Sequence, residues 1–415
     1  MVRFGARRVV DLVLRRSRSA ERVVGLTLTE LFEKLGPAFV KVGQILSTRS
    51  DLLGSEATVQ LARLVDDLPP APIDTLRAQF KAEFGASLDE VFAEFETEPV
   101  ASASIACVHR ARLPDGRPAA VKLLRPGVAD EIALDLRILR RAARVLGRIP
   151  PLQSVPVAEA VAELSECVLR QVDFEREAAA GDRLREALQW EPEVVIPEYV
   201  PELCGRTVLT MEFIEGLQAG RRGDTSLNSL LAALNALYRM IFVEGVVHCD
   251  LHGGNLHFLP GGRVAIIDFG FVADMPDQAR LRFAEFFYAL ASGDSQQAAD
   301  ITLEMAAAIP ARLDRQAFTA DVASVVEDAS GRRARDFLVT DFAGRMFDVQ
   351  RRHGVHGTTA FVMAIVSLIV FEGMVREMAP DLDFQERAKP FILRSSIRRY
   401  DREDNAPDNE TSPLH

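Results

Sequence analysis

The sequence predicts an α+β protein that is mostly helical. Two turns predict the strands: Pro114-Asp115-Gly116 has the composition of a hairpin turn, and Pro260-Gly261-Gly262 joins two short apolar runs. A third observation predicts the helices. Apolar residues recur at helical spacing between Thr29 and Ile45, and several apolar helical patterns without a strand signal follow in 276–393.

The composition excludes several classes of protein. At 415 residues, with 48% hydrophobic and 26% charged residues, the chain is typical of a soluble globular protein of two or three domains. A net charge of -11 argues against nucleic acid as the main partner. The four cysteines are far apart and form no Cys-x-x-Cys motif, so neither a disulfide framework nor a zinc site is predicted and a reducing compartment fits.

The N-terminal segment 1–22 is rich in Arg, with apolar residues between the charges. Two interpretations stay open: an amphipathic helix on an anionic membrane surface, or a solvated helix. The segment lacks the continuous apolar core and cleavage site of a secretory signal. The most apolar run, Thr359 to Phe371, is too short to span a bilayer and is predicted to be a buried helix. We therefore expect a cytoplasmic chain with at most peripheral membrane contact.

The remaining elements follow from turn and breaker residues. Gly36-Pro37 separates two helices, and Pro69-Pro70-Ala71-Pro72 marks a linker. The other predicted elements, in chain order, are two short helices in 73–96, a helix at 128–149, one long helix at 156–189, a strand pair formed by 193–196 and 207–211, an extended connector at 212–216, a helix at 227–243 and a polar tail from Arg398 to His415.

The chemistry is predicted to lie between Glu244 and Phe271. The second hairpin brings Asp250, Asn255 and Asp268 towards one end. One carboxylate and the amide oxygen suit a hard cation, and the second carboxylate is then not needed as a ligand. Enzymes of phosphoryl transfer use this arrangement: one Asp orients the nucleophile, and the Asn and the other Asp hold magnesium. The alternative is a polar loop between core strands.

Further residues fit the same chemistry. Lys122 ends a strand run after the first hairpin, where kinases place the cation for the nucleotide phosphates, and Glu177 on the long helix is the candidate partner that fixes it. The loop before this strand, Ala101-Ser102-Ala103-Ser104, contains no glycine, but its small side chains let backbone N–H groups approach phosphate. The connector that contains Glu212 and Ile214 is placed as the hinge whose backbone binds adenine. Each residue alone has an ordinary structural interpretation as a strand Lys, a solvated helical Glu or a loop.

Lys41 and Gln44 lie three residues apart and so share one face of an otherwise apolar helix. Two polar side chains that project together from such a helix need polar partners. Taken alone, the pair is better explained by a solvent-exposed face of the helix.

Together these residues resemble the UbiB/AarF family of atypical kinases, which is linked to ubiquinone (coenzyme Q) biosynthesis. The resemblance covers about residues 25–393. It is carried by the Lys-x-Gly-Gln signature at 41–44, the Ala/Ser loop 101–104, Val121-Lys122, DFEREAA at 173–179, HCDLHGGN at 248–255, DFG at 268–270 and SLIVFEGMVREMAPDL at 367–382.

The resemblance implies a two-lobed, protein-kinase-like fold with an N-terminal helical extension over the cleft, and binding of ATP and Mg²⁺. Asp250, Lys122 and Glu177 then take catalytic roles, and Asn255 and Asp268 bind the metal. Lys41 and Gln44 map to an inhibitory signature. The family usually has a Glu that pairs with the signature Lys where this chain has Gln171, followed by an Asp that is kept as Asp173. Cys107 also replaces the usual Gln of the loop motif.

The predicted segments are an extension at 1–95, an N-lobe at 96–215, a C-lobe at 216–395 and a disordered tail at 396–415. The predicted function is an ATP-dependent, kinase-like ATPase in quinone or isoprenoid-lipid biosynthesis, with lipids or quinone-pathway enzymes as partners. The alternatives are a small-molecule phosphotransferase and a non-catalytic scaffold that binds nucleotide and lipid.

Overall fold

The computed structural model describes residues 18–47, 53–64, 69–146, 157–217, 227–251, 253–329 and 337–403. Their contacts divide the chain into two units. Unit one comprises Met1–Ala232 and His248–Val272, and unit two comprises Ala233–Val247 and Ala273–His415. The loops with the predicted catalytic and metal residues therefore group with the predicted extension and N-lobe.

Unit one contains helices α1 to α8 and the beginning of α9. They are α1 Arg18–Leu35, α2 Pro37–Ser47, α3 Ser55–Leu61, α4 Ile73–Phe84, α5 Leu88–Val91, α6 Val128–Leu146, α7 Val157–Gln171, α8 Phe174–Ala187 and α9 Leu227–Tyr238. The break between α1 and α2 falls at Gly36, as predicted, with Pro37 as the first residue of the second helix.

The strands of unit one form two sheets. The first contains β1 Glu94–Phe95, β2 Ala101–Ser102, β3 Ala106–Arg112, β4 Pro118–Leu124 and β6 Val208–Glu212, and its pairings are antiparallel. The second contains β5 Val194–Val195, β8 Leu256–Leu259 and β9 Arg263–Ile266. Both predicted hairpins are confirmed, since β3 pairs with β4 and β8 pairs with β9.

Strand β4 carries Lys122 between two apolar layers. On one face, Ala119, Val121 and Leu123 pack in a cluster with α4 and α5. The opposite face, which carries Leu124, belongs to a second cluster. This second cluster also takes in the extension (Phe32, Ala38, Val42, Ile45, Leu61, Leu64) and helices α6 to α8 (Ile132, Leu136, Leu164, Val168, Phe174). The extension is thus part of the core around Lys122.

Unit two is built mainly of helices. After α9 the chain forms a π-helix at Arg239–Glu244, and then α10 Asp277–Ser292, α11 Ser295–Glu304, α12 Arg315–Ala329, α13 Val339–His353, α14 Thr359–Met378 and α15 Phe384–Glu403. The chain passes between the units at β7 Val246–His248 and β10 Val272–Asp274. Phe283, Phe286 and Phe361 form an aromatic core, with ring centroids 5.0 and 5.4 Å from that of Phe361.

Helix α14 is longer than the predicted run because it continues to Met378. Its length and composition would allow it to cross a membrane, with a mean hydropathy of 1.8, but 61% of that window is buried inside the protein. A core helix passes the same test, and the burial of every residue from Phe361 to Leu368 is typical of one. The predicted burial is confirmed, whereas the argument from insufficient length was wrong.

Four other predictions need correction. The helix predicted at 156–189 is two helices, α7 and α8. Val194–Val195 pairs in parallel with β9 and not with β6. Two short strands that the sequence did not predict, Ala306–Ala308 and His356–Gly357, pair in unit two. Helix α15 runs to Glu403, into the predicted tail, while 404–415 and most of the basic segment (1–17) lie outside the described residues.

Candidate active site

Lys122 and Glu177 form a buried ion pair. The Lys122 Nζ donates to Glu177 Oε1 at 2.7 Å, and the two side chains are 9% and 2% exposed. Nζ also lies 5.0 Å from the centroid of the Phe174 ring, within cation–π range. The predicted pairing of strand Lys and helix Glu is therefore present in the fold.

Helix α8 holds Glu177 through its cap and its buried face. Asp173 is the N-cap residue, and its side chain accepts a hydrogen bond from the Arg176 backbone N–H. Phe174, Glu177, Gly181 and Leu184 recur at helical spacing and are buried. Glu177 is thus the acidic residue in an otherwise apolar stripe one turn after the cap. Asp173 thus caps the beginning of α8 instead of lying within the one long helix that the sequence predicted.

Asp268 approaches the same lysine from the Asp-Phe-Gly loop. Its Oδ2 lies 3.2 Å from Lys122 Nζ, and its Oδ1 accepts a hydrogen bond from the Gly270 N–H at 3.1 Å. With a φ of 63°, Asp268 is the one non-glycine residue with a positive φ among those that the structure describes. Asp tolerates this conformation because its short side chain can bond locally to the backbone. The side chain stays 46% exposed, so one cation faces one buried and one accessible carboxylate.

The two carboxylates respond to Lys122 in opposite ways. Burial raises the pKa of Glu177 to about 7, although the charge of Lys122 opposes that shift and the charge of Asp268 adds to it. For Asp268, the effect of burial is outweighed by Lys122, the Gly270 N–H and Lys41, which hold its pKa well below the usual range. Burial would lower the pKa of Lys122, but the charges of Asp268 and Glu177 raise it. The lysine therefore stays charged.

This arrangement predicts a pH-dependent contribution of Glu177 to stability. Its pKa is about 7 in the folded chain and near 4.5 for an unperturbed carboxyl. The folded chain thus binds more protons between these values, so the contribution is full below about pH 4.5 and is lost as the pH rises through 7. At about 1.4 kcal/mol per unit, the loss approaches ~3 kcal/mol.

Urea unfolding of the wild type and Glu177→Gln from pH 4.5 to 8 measures this contribution. The free energy of unfolding of the wild type should fall, relative to that of the variant, as the pH rises. Glu175→Gln, on the exposed side of α8, should keep the pH dependence of the wild type. Parallel pH profiles for the wild type and Glu177→Gln would contradict the assignment.

Asp250 and Asn255 lie together in the loop between β7 and β8. The Asn255 Nδ2 donates to the Asp250 carbonyl at 2.9 Å and lies 3.5 Å from the Asp250 carboxylate. The backbone carbonyl of Asn255 accepts a hydrogen bond from the Ile267 N–H at 2.9 Å. This bond holds Asn255 beside the segment that leads to Asp268. The hairpin thus brings the three predicted polar residues to one end, as the sequence indicated.

His248 also belongs to the candidate site, although sequence analysis assigned it no separate role. Its side chain is fully buried and bridges the two loops: Nδ1 accepts from the Asp250 N–H at 3.2 Å, and Nε2 lies 2.8 Å from the Asp268 carbonyl. Because Nδ1 accepts, the proton must be on Nε2, which donates to that carbonyl. The ring also meets Phe269 edge-on at 5.8 Å. A His at the end of the apolar run Val246–Val247, two residues before Asp250, was the available signal for this role.

The donor set fits magnesium bound together with phosphate oxygens. Within the described residues, no three or more His, Cys, Asp or Glu side chains are grouped to hold a metal ion. Asn255 and Asp268 could supply two oxygen ligands, because the hydrogen bonds that the Asn255 side-chain amide forms within the described residues use its nitrogen. Mg²⁺ usually binds to one or two protein groups, water and substrate phosphates rather than to a protein cage.

The predicted phosphate loop is held by one strand pairing and one backbone hydrogen bond. Ser102 pairs with Cys107 across β2 and β3, and the Ala103 N–H donates to the Ala106 carbonyl at 2.9 Å. Ala101 is exposed, whereas Ser104 is buried. Of the residues predicted to lie in the hinge, Glu212 ends β6, and Ile214 packs against Leu259 and Ala265.

The residues of the signature on α2 have distinct contacts. Lys41 lies close enough to Asp268 for its charge to lower the pKa of that carboxyl. At Gly43, a Cβ atom would lie 2.2 Å from Leu64 Cδ1, so only glycine fits without rearrangement. The Gln44 amide donates to the Leu64 carbonyl at 3.4 Å. Lys41 thus lies near Asp268, while Gly43 and Gln44 lie against Leu64, which follows the end of α3.

Gln171, where the family usually has Glu, ends helix α7 beside the Asp-Phe-Gly loop. A Cβ atom placed on Gly270 would lie 3.5 Å from Gln171 Cγ, an ordinary contact distance. Lys41 and Gln171 therefore approach the same loop, Lys41 through Asp268 and Gln171 through Gly270. Asp173 is separated from Gln171 by the helix break and is used as a cap.

Known proteins match this chain over most of its length. The profile of the ABC1 atypical kinase-like domain family matches residues 63–302. A relative named "Probable protein kinase UbiB" from Marinobacter nauticus is 32% identical over 372 residues, which is 87% of this chain and 68% of the relative. Its namesake from Pseudomonas paraeruginosa is 30% identical over 388 residues, covering 91% and 73% of the two chains.

A solved structure shows the same fold. Rv3197 from Mycobacterium tuberculosis, determined as a complex with erythromycin, superposes with a TM-score of 0.52 at 23% identity, covering 80% of this chain and 86% of that one. The predicted fold, mostly helical α+β and kinase-like, is confirmed. From the family profile and the extent of these matches, the chain belongs to the UbiB/AarF family of ABC1 atypical kinase-like proteins.

Proposed function

We propose that this protein is an ATP-dependent, kinase-like ATPase that acts on MgATP in unit one and supports ubiquinone or isoprenoid-lipid biosynthesis. The observation that carries the proposal is the buried Lys122–Glu177 pair with Asp268 at 3.2 Å. A buried cation with one structural and one accessible carboxylate partner suits a site that receives phosphate oxygens beside a metal ligand. The relatives named UbiB support the link to quinone biosynthesis.

Each residue has a role in this proposal. Lys122 binds the nucleotide phosphates, and Glu177 keeps it oriented. Asn255 and Asp268 hold Mg²⁺, which when bound neutralises charge on the phosphates. Asp250 orients the attacking hydroxyl or water, and His248 keeps the two loops together through its hydrogen bonds on both sides. The loop Ala101–Ser104 covers the phosphates, and the backbone from Glu212 to Ile214 binds adenine.

Titration calorimetry with ATP, with and without magnesium, tests the nucleotide part of the proposal. We expect Mg²⁺-dependent binding and slow hydrolysis of ATP. Quinone intermediates measured in cells that lack the protein test the pathway part. A chain that binds no nucleotide but binds lipid would favour the scaffold alternative, and transfer to a small alcohol would favour a phosphotransferase.

We further propose that Lys41 restrains the site and that Gln171 weakens this restraint. A carboxylate at position 171 would offer Lys41 a second anionic partner beside Gly270, and charge-assisted hydrogen bonds are about twice as strong as neutral ones. We expect Gln171→Glu to lower basal ATP hydrolysis. Lys41→Ala should then change the rate less in the native background than in the Gln171→Glu background, with a coupling energy of about 1 kcal/mol.

A double-mutant cycle on the ATPase rate measures this coupling. Lys34→Ala, an exposed lysine in the last turn of α1, is the matched control and should show none. If Lys41→Ala has the same effect in both backgrounds, positions 41 and 171 act independently and the proposed restraint is wrong.

Peripheral contact with a membrane on the cytoplasmic side is part of the proposal and rests on the Arg-rich segment 1–22. Each basic side chain near an anionic surface is worth about 1 kcal/mol, and salt screens the attraction. Co-sedimentation with liposomes should therefore require anionic lipid and weaken with salt. Equal binding to neutral liposomes, or unchanged binding after deletion of residues 1–22, would contradict it.

A further inference from the structure

Arg125, the first residue after β4, forms hydrogen bonds with the predicted phosphate loop. Its Nε donates to the Ala103 carbonyl at 2.8 Å, and Nη2 donates to the Ser102 hydroxyl at 2.9 Å. Its backbone N–H donates to the Ile105 carbonyl at 2.7 Å. Three contacts from one residue thus fix the 102–105 stretch, in which no residue has a positive φ.

The same guanidinium reaches the Pro-rich linker within the extension. Nη2 also donates to the Pro69 carbonyl at 2.7 Å. A second attachment lies nearby, where the Ala71 N–H approaches Cys107 Sγ at 3.5 Å and Cys107 pairs with Ser102. The linker and the phosphate loop therefore share two anchor points.

The contacts of Arg125 matter because the loop at 101–104 contains no glycine. A loop of Ala and Ser lacks the conformational freedom with which glycine lets a backbone close around phosphates. Such a loop must be held in its binding shape by outside contacts. The planar guanidinium has five N–H donors in a fixed fork and can satisfy several acceptors at once, which the single ammonium of lysine does less well.

We propose that Arg125 is a positioning residue that holds the Ser102–Ala103 backbone in the shape that receives nucleotide phosphates and ties that shape to the linker at Pro69. The proposal rests on the proposed ATP site and adds to it. It makes phosphate binding depend on a residue outside the loop, and it connects the loop to the extension through the hydrogen bond to Pro69.

Titration calorimetry of the full chain with MgATP and with adenosine tests the role. We expect Arg125→Gln to weaken MgATP binding by about tenfold, which corresponds to ~1.4 kcal/mol, and to leave adenosine binding unchanged, because adenosine has no phosphates. Arg125→Lys keeps the charge but not the fork and should recover only a small part of the loss. Arg117→Gln is the matched control, since this arginine contacts Asp115 in the turn of the same hairpin.

Several outcomes would overturn the proposal. Equal loss of MgATP and adenosine binding would indicate general damage to the fold. Full recovery in Arg125→Lys would indicate that charge alone matters, and unchanged MgATP binding in Arg125→Gln would exclude any role. If Arg125→Gln does not fold, Ser102→Ala removes one contact and should show the same selectivity with a smaller effect.

Hydrogen–deuterium exchange separates this proposal from the proposed function. If the wild type binds no MgATP, the proposed function fails. The positioning role of Arg125 still predicts faster exchange in the peptides covering 101–106 and 69–76 of Arg125→Gln. Unchanged exchange in both peptides would refute that role, whatever the ligand. The same measurement on Arg117→Gln should resemble the wild type.

Discussion

Replacing Asp268 with Asn is expected to abolish the dependence of ATP binding on magnesium and to reduce ATP hydrolysis by at least two orders of magnitude, on the order of the effect of removing one preorganised electrostatic group. The amide oxygen of Asn can still accept the Gly270 N–H bond, and Lys122 keeps Glu177 as a partner. The fold should therefore survive while the charge that would hold the metal is lost.

Calorimetric titration of ATP with and without magnesium, together with a hydrolysis assay, decides this prediction. The variant should bind ATP equally well under both conditions and should unfold in urea close to the wild type. Asp115→Asn is the control, because Asp115 is a half-exposed carboxylate in a turn paired with Arg117. If Asp268→Asn keeps its magnesium-dependent affinity, Asp268 is not a metal ligand.

The largest expected effect on stability is at Glu372 in unit two. This carboxylate is 4% exposed and accepts three hydrogen bonds at the beginning of α13: from the Val339 N–H at 2.6 Å, the Thr340 N–H at 3.0 Å and the Thr340 hydroxyl at 2.8 Å. It therefore caps a helix from a distant point in the chain and places its charge at the positive end of the helix dipole.

Glu372→Ala should lower the free energy of unfolding by about 4 kcal/mol, because each buried donor left without a partner costs roughly 1–3 kcal/mol. Glu372→Gln keeps an acceptor oxygen and should cost about half as much. Urea unfolding followed by circular dichroism measures both, with Glu377→Ala on the exposed side of α14 as the control. If Glu372→Ala is as stable as this control, the distant cap contributes nothing.

The parts of the fold that could be predicted from sequence are those set by local chemistry. Pro114-Asp115-Gly116 and Pro260-Gly261-Gly262 determine their hairpins because few residues permit such turns. The Gly36-Pro37 break follows from the absence of a backbone N–H at proline. These signals lie within a few residues, so no tertiary contact is needed to interpret them.

The errors arose where a distant contact decides the structure. A β-branched run predicts a strand but not its partner, so Val194–Val195 was paired with the next strand in sequence and not with β9. The strand β6 contacts the residues that follow Val194–Val195 instead, since the Val200 N–H donates a hydrogen bond to the Thr210 carbonyl. Asp173 is a residue type that commonly caps the beginning of a helix. The break before it was nevertheless missed, because the helical periodicity of apolar residues continues on both sides.

The candidate site shows the same division. Motif spacing predicted Lys122, Asp250, Asn255 and Asp268, and the structure brings them to adjacent loops and strands. Glu177 was predicted as the helical partner of Lys122, and the structure adds that it is buried within an apolar stripe. Arg125 could not be found from sequence because its partners, Pro69 and Ser102, are 56 and 23 residues away.

The cluster that joins the extension to the Lys122 layer has a practical consequence for recombinant fragments. A fragment that begins at residue 63, where the family profile begins, or at the Pro-rich linker would lack Phe32, Val42 and Ile45 and expose the faces of α6 and α7 that they cover. Exposed apolar surface of that extent favours aggregation. The first residue of the family profile is therefore not a folding boundary, and fragments meant to stay soluble should retain the helices from Arg18 onward.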